Sequence, residues 1–65
     1  MITVHIQPEN ETLEFATLNT VLQLLNRLKL RATHALIIRD GKLLTADRKL
    51  HYGDEIIVKK VISAG

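Results

Sequence analysis

Few side chains in this chain are suited to catalysis. The three histidines, His5, His34 and His51, are the good general bases near neutral pH, and imidazole is also a frequent metal ligand. None stands at ligand spacing from another, such as i, i+4 on a helix, so all three read as surface or edge residues. Serine and threonine nucleophiles need an oriented base, and the sequence has neither a glycine-rich elbow nor a phosphate loop. Gly41 and Gly53 read as turn glycines, and Asp54 as a turn-capping carboxylate. With no cysteine, a thiolate nucleophile, a disulfide framework and a cysteine-based zinc site are all excluded. The group that remains is the carboxylate of Gly65. A carboxylate is a poor acyl donor until ATP converts it to an acyl adenylate, so chemistry there would belong to a partner's active site and this chain would be a substrate.

The element that positions Gly65 is the stretch Leu50 to Gly65, LHYGDEIIVKKVISAG. Gly53-Asp54 is a turn pair, and Glu55 to Ile62 is a β-branched run suited to a strand. Ser63, Ala64 and Gly65 offer little side chain to a core, and residues 61–65 are expected to form a flexible C-terminal tail. Ahead of this, Met1 to Gln7 alternates with Ile2, Val4 and Ile6 to one side. Pro8-Glu9-Asn10 is turn chemistry, and Thr12 to Phe15 alternates again with Leu13 and Phe15 inward. The period then changes: Val21, Leu22, Leu24, Leu25 and Leu28 fall on one helical face, which predicts a helix from about Thr20 to Leu30. Thr20 with Gln23 has capping-box spacing, and Asn19 is an alternative cap. His34 to Arg39 is a nearly continuous apolar strand, Asp40-Gly41 a hairpin turn, and Lys42 to Leu44 a short strand. Thr45 to Lys49 is a polar connection.

The order is strand, strand, helix, strand, short strand, strand. It predicts an α+β roll: a mixed sheet of four to five strands with one main helix packed across one face, in the β-grasp arrangement with the first and last strands side by side, central and parallel. The 65 residues make one small domain, which buries only about 60% of its unfolded surface. A hydrophobic fraction of 46% with 25% charged residues is that of a folded globule. No apolar run approaches the ~20 residues of a membrane span, and MITVHIQ lacks a signal-peptide pattern, so a cytoplasmic location and no membrane partner are expected. The net charge of +2 is mild, and Phe15 and Tyr52 are the only aromatic residues, which argues against a nucleic-acid partner.

The pattern Leu50-x-x-Gly53-Asp54-x-Ile56-x-Val58, with Val61-Ile62-Ser63-Ala64-Gly65 at the end, resembles the ThiS/MoaD sulfur-carrier family of ubiquitin-like proteins. The segment Ala35-Leu36-Ile37-Ile38-Arg39-Asp40-Gly41-Lys42-Leu43-Leu44 is similar to that family's apolar strand, Asn/Asp-Gly turn and apolar pair. The resemblance implies a β-grasp fold and a role as a protein co-substrate rather than an enzyme. It implies that a ThiF/MoeB-like adenylating enzyme uses ATP to activate Gly65, with no cofactor bound to the carrier itself. A sulfur donor such as a cysteine desulfurase then supplies sulfur, and the resulting thiocarboxylate serves a sulfur-accepting synthase in thiamine or molybdopterin biosynthesis, or tRNA thiolation. Ser63 and Ala64 would thread the partner's channel. Members normally end in Gly-Gly, whereas this chain ends in Ala64-Gly65. Glycine passes a narrow channel because it lacks a Cβ, and overfilling such a channel with one methyl costs on the order of 1–3 kcal/mol. Three readings stay open: a partner that tolerates alanine, a variant with blunted activation, and a relative that no longer carries sulfur. The plain alternative is that Ser63-Ala64-Gly65 is merely a chain end.

A partner also needs a surface. If Ile56 and Val58 face the helix, Ile57 and Lys59 lie on the open face of the sheet beside His5 and Thr3. Leu36 or Ile38, whichever faces outward, would extend an apolar patch rimmed by Lys59, Arg39 and Lys42. Scattered surface aliphatics are the bland reading of the same residues. The alternative function that this patch supports is a ubiquitin-like modifier or interaction module without sulfur-carrier activity.

Overall fold

The computed structural model describes residues 1–61. Its five strands are β1 (Ile2–Gln7), β2 (Glu11–Phe15), β3 (Ala35–Arg39), β4 (Lys42–Leu44) and β5 (Glu55–Lys60), with one helix, α1 (Val21–Leu28), between β2 and β3. They form one mixed sheet in the order β2-β1-β5-β3-β4. The first and last strands are central neighbours and run parallel, with Val4 opposite Ile56 and Ile6 opposite Val58. The other three pairings are antiparallel. This is an α+β fold.

Alternation along the strands decides what is buried. Ile2, Val4 and Ile6 of β1, Ile56 and Val58 of β5 and Ala35 and Ile37 of β3 turn to one face, where they meet Val21, Leu24 and Leu25 of α1 in a single core. Leu13 and Phe15 pack partly buried at its margin, on the side expected of them. Leu18 and Leu50, which flank the helix and the last turn and stand in no periodic pattern, are buried in the same core.

The helix is shorter than its apolar spacing predicts. Its start agrees with the cap: the Thr20 hydroxyl accepts the Gln23 N–H at 3.3 Å. The Gln23 side-chain oxygen in turn accepts the Asn19 N–H at 2.6 Å, so Thr20 is the cap and Asn19 takes part only through its backbone. At the other end Lys29 adopts a left-handed conformation, φ 58°, and its N–H turns back to Asn26. The Leu30 N–H bonds the Leu25 carbonyl at 2.9 Å. This closes the helix in the manner usual for glycine and folds Leu30 onto the core.

The start of β3 differs by one residue from expectation, and Ile62, the expected end of β5, lies outside the described residues. Ala32–His34 forms a 3-10 turn, so β3 starts at Ala35 rather than His34. Lys60 pairs with Ala35, the first residue of β3, at the end of the β3–β5 ladder. The Val61 N–H is still held by the His34 carbonyl at 2.9 Å. Asn10 takes a positive φ of 57° in the β1–β2 turn. Asp40 and Gly41 both have positive φ, 54° and 75°, which is the two-residue hairpin geometry that an Asp-Gly pair favours.

Candidate functional site: the open face of the sheet

The face turned away from α1 carries the surface residues picked out from the sequence. His5 of β1 lies opposite Ile57 of β5, and Ile57 lies opposite Ile38 of β3. Ile38 in turn faces Leu43 of β4, and on the far side His5 faces Thr12 of β2. One row thus crosses all five strands: Thr12, His5, Ile57, Ile38, Leu43. Beside it, Lys59 is flanked by Gln7 and Leu36. Lys59 therefore sits next to Gln7, and Thr3 has Glu55 for its neighbour.

The apolar part of this face is larger than expected. Leu36 and Ile38 are two residues apart on one strand, so both face outward and neither replaces the other. Leu43, not singled out in the sequence, is 66% exposed and lengthens the row to the sheet edge. Its signal was available in the hairpin: in a two-residue Asp-Gly turn Arg39 faces Lys42, which fixes Leu43 opposite Ile38.

The rim requires a correction. Arg39 and Lys42 are cross-strand partners and share the opposite face, on the helix side, because Arg39 is in phase with the buried Ala35 and Ile37. Lys59 alone of the three predicted cations borders the patch. Arg39 is occupied elsewhere, donating to the Asp54 carboxylate at 2.8 Å and to the Lys49 carbonyl at 3.1 Å.

His5 holds its place through two neighbours. Its Nδ1 lies 3.2 Å from the Thr12 hydroxyl and its Nε2 4.0 Å from the Glu55 carboxylate. These three groups come from three strands on a solvent-exposed surface, and they orient the imidazole without enclosing a substrate. His34 lies in the 3-10 turn, and His51 precedes the Gly53 turn, both exposed. Among the described residues no three His, Cys, Asp or Glu side chains are grouped to hold a metal ion.

Asp54 performs the capping its position suggested. Its carboxylate accepts the His51 N–H at 2.8 Å as well as the Arg39 guanidinium. Desolvation pushes its pKa up, but the His51 N–H and Arg39 outweigh this and leave it below the ordinary carboxylate value. Asp47, on the connection before it, is also lowered, chiefly by the Thr45 hydroxyl. These are structural bonds. The Asp54 carbonyl receives the Thr3 N–H at 3.0 Å and the Met1 carbonyl receives the Gly53 N–H at 3.1 Å, so the turn is laced to the start of β1.

Ser63, Ala64 and Gly65, the residues proposed to thread a partner's channel and to carry the reactive carboxylate, lie outside the described residues. What leads to them is described: β5, held on both sides by β1 and β3. Compared with known proteins, the chain matches no family profile and no curated sequence. No helix among the described residues is long and apolar enough to cross a membrane.

Proposed function

We propose that this chain is a β-grasp, ubiquitin-like sulfur carrier of the ThiS/MoaD type, a co-substrate rather than an enzyme. The observation that carries this reading is the place of β5. A strand paired on both flanks, parallel to β1, gives the segment after it a rigid base in the middle of the sheet. In this proposal a ThiF/MoeB-like enzyme binds the open face through Ile57, Lys59 and His5 and receives Ser63-Ala64-Gly65 in its channel. A Gly65 carboxylate oxygen attacks the α-phosphorus of ATP and pyrophosphate leaves. The terminal sulfur of a persulfide on a donor such as a cysteine desulfurase then displaces AMP from the acyl carbon, a thiol reductant cleaves the resulting acyl disulfide to the thiocarboxylate, and the thiocarboxylate passes sulfur to a synthase. The resemblance to the family supplies these steps, and thiamine, molybdopterin and tRNA thiolation are all acceptable destinations.

The test is the intact mass of the protein ending at Gly65 after incubation with ATP, such an adenylating enzyme and a sulfur donor. A gain equal to the difference between sulfur and oxygen supports the carrier and shows that Ala64 is tolerated. A gain only after Ala64→Gly means a carrier body with a disabled tail. No gain from either form rejects the proposal.

A second reading is favoured by the outward row of Ile57, Ile38 and Leu43 with Leu36 beside it: an interaction module that carries no sulfur. Deleting Ala64 and Gly65 separates the two. A module keeps its partner after the deletion, and a carrier loses all activity.

A further inference from the structure

A polar pocket of about 450 Å³ is lined by Arg39, Thr45, Asp47, Arg48, Lys49 and His51. Arg39 ends β3, and the first residue of that strand pairs with Lys60, so the pocket stands about 13 Å along the strand from the end of β5. Backbone bonds fix its frame. The Arg48 N–H bonds the Thr45 carbonyl at 3.1 Å, and the Arg48 carbonyl accepts the Val21 N–H at 3.0 Å. Lys49 bridges to Thr20, and the His51 N–H is held by Asp54. Arg39 is fixed as a side chain, only 24% exposed, with both bonds made by Nη1, to the Asp54 carboxylate and to the Lys49 carbonyl. Its Nε and Nη2 N–H groups have no partner among the described residues. They form the edge of the guanidinium that grips an oxyanion by two parallel bonds. The exposed side chains of Arg48 and Lys49 form no ion pair among the described residues either.

The lining itself selects the ligand. Arg39, Arg48 and Lys49 are permanent cations, and Lys42 stands opposite Arg39 on the neighbouring strand and on the same face. Against them are Asp47, which accepts the Thr45 hydroxyl, and Asp54, which Arg39 already engages. His51 adds a charge when its ring is protonated. The balance favours an anion, and the number of donors says which kind. A carboxylate has two oxygens, enough for the Arg39 edge alone, whereas a phosphate keeps a third for Arg48 or Lys49. Among the described residues the lining holds no aromatic face on which a base would stack and no aliphatic side chain to receive an apolar group. We propose that this pocket is a second binding site, taking a small phosphate-bearing molecule whose phosphate is held by Nε and Nη2 of Arg39 together with Arg48 and Lys49. The site makes no use of Gly65 and stands whether or not the chain carries sulfur.

The experiment is chemical-shift titration of the whole chain with pyrophosphate at constant ionic strength, following the backbone amides and the arginine Nε–H groups. Saturable shifts are expected at the Arg39 Nε–H and at the amides of Arg48, Lys49 and His51. Affinity should fall about tenfold or more in Arg48→Gln/Lys49→Gln, whose changed side chains are exposed and whose fold is checked by circular dichroism. Arg27→Gln/Arg31→Gln removes the same charge elsewhere on the surface and should leave the affinity within about twofold. Arg39→Lys keeps the charge but removes the fork, and should also weaken binding in protein that circular dichroism shows to be folded. The proposal is overturned by the absence of saturable shifts at millimolar pyrophosphate, or by shifts spread over all the surface cations. An equal loss in the Arg27/Arg31 control overturns it too, as does indifference to Arg48→Gln/Lys49→Gln or to Arg39→Lys. Tighter binding of tetraglutamate or of a single-stranded oligonucleotide at the same amides would assign the pocket to another class of ligand and reject the proposal.

Discussion

Asp54 joins three separate segments: its carboxylate binds the His51 turn and, through Arg39, the end of β3, and its backbone carbonyl binds the start of β1. Asp54→Asn keeps an acceptor but removes the charge, and should cost about 1–2 kcal/mol at neutral pH in urea unfolding. The pH dependence follows from the direction of the shift. A carboxyl whose folded pKa is lowered contributes stability above its unfolded value, roughly 4, and loses it as pH falls through the lower folded value. The gap between the native protein and Asp54→Asn should therefore narrow on acidification below that range, and a constant gap would mean that the charge plays no part. Arg39→Ala should move the Asp54 titration back toward the ordinary value, as read by carboxyl carbon shifts.

At the scale of elements, α1 is held by its ends as much as by its apolar face. Two of its first N–H groups, those of Val21 and Leu22, are bound by the carbonyls of Arg48 and Ala46, each at 3.0 Å. The polar connection Thr45 to Lys49 thus serves as a backbone cap, supplemented by the Thr20 hydroxyl. Thr20→Ala should destabilise by about 1 kcal/mol. The opposite sign is expected at the other end. Lys29 holds a left-handed conformation that disfavours a side chain, so Lys29→Gly should raise stability by about 0.5–1 kcal/mol in thermal or urea unfolding. A loss instead would show that the Lys29 side chain contributes more than its backbone strain costs. Gly41→Ala, at φ 75° with open space around the added Cβ, should lose about 1 kcal/mol through conformation alone.

The whole molecule depends on one core. No cysteine is available to cross-link it, and a chain of this length is expected to be stable by only about 3–10 kcal/mol. Leu24 is fully buried between helix and sheet, and Leu24→Ala should cost roughly 2.5–5 kcal/mol, a large share of that total. Circular dichroism at increasing urea would check this, and a loss below about 1 kcal/mol would mean that the core closes around the gap. Ile57→Asp belongs to the same scale but to the outer face. It should leave the fold in place, because the residue is only half-buried and its neighbours are Ile38 and His5, and under the proposed carrier function it should abolish capture by an adenylating enzyme.

Much of this architecture is local in origin. Period-two alternation in Ile2 to Ile6 and helical spacing in Val21 to Leu28 are set by side-chain geometry over a few residues, and Asp40-Gly41 carries its own turn. Strand identity, order of elements and the orientation of Ile56 and Val58 were therefore legible in the residues alone. The left-handed Lys29 was not, because it is imposed by closure of the helix and the return of Leu30 to the core. Nor was the burial of Leu18 and Leu50, which have no period and are covered by elements distant in sequence. Arg39 could be placed with the other outward cations only until the hairpin register and Asp54 claimed it for the helix side. The open patch was partly readable, since Ile57 alternates with buried neighbours. Local spacing determined which residues this protein buries and where its chain turns. The tertiary structure decided which surfaces those residues leave exposed, because a surface is made by strands and helices that have no contact until the chain closes on itself.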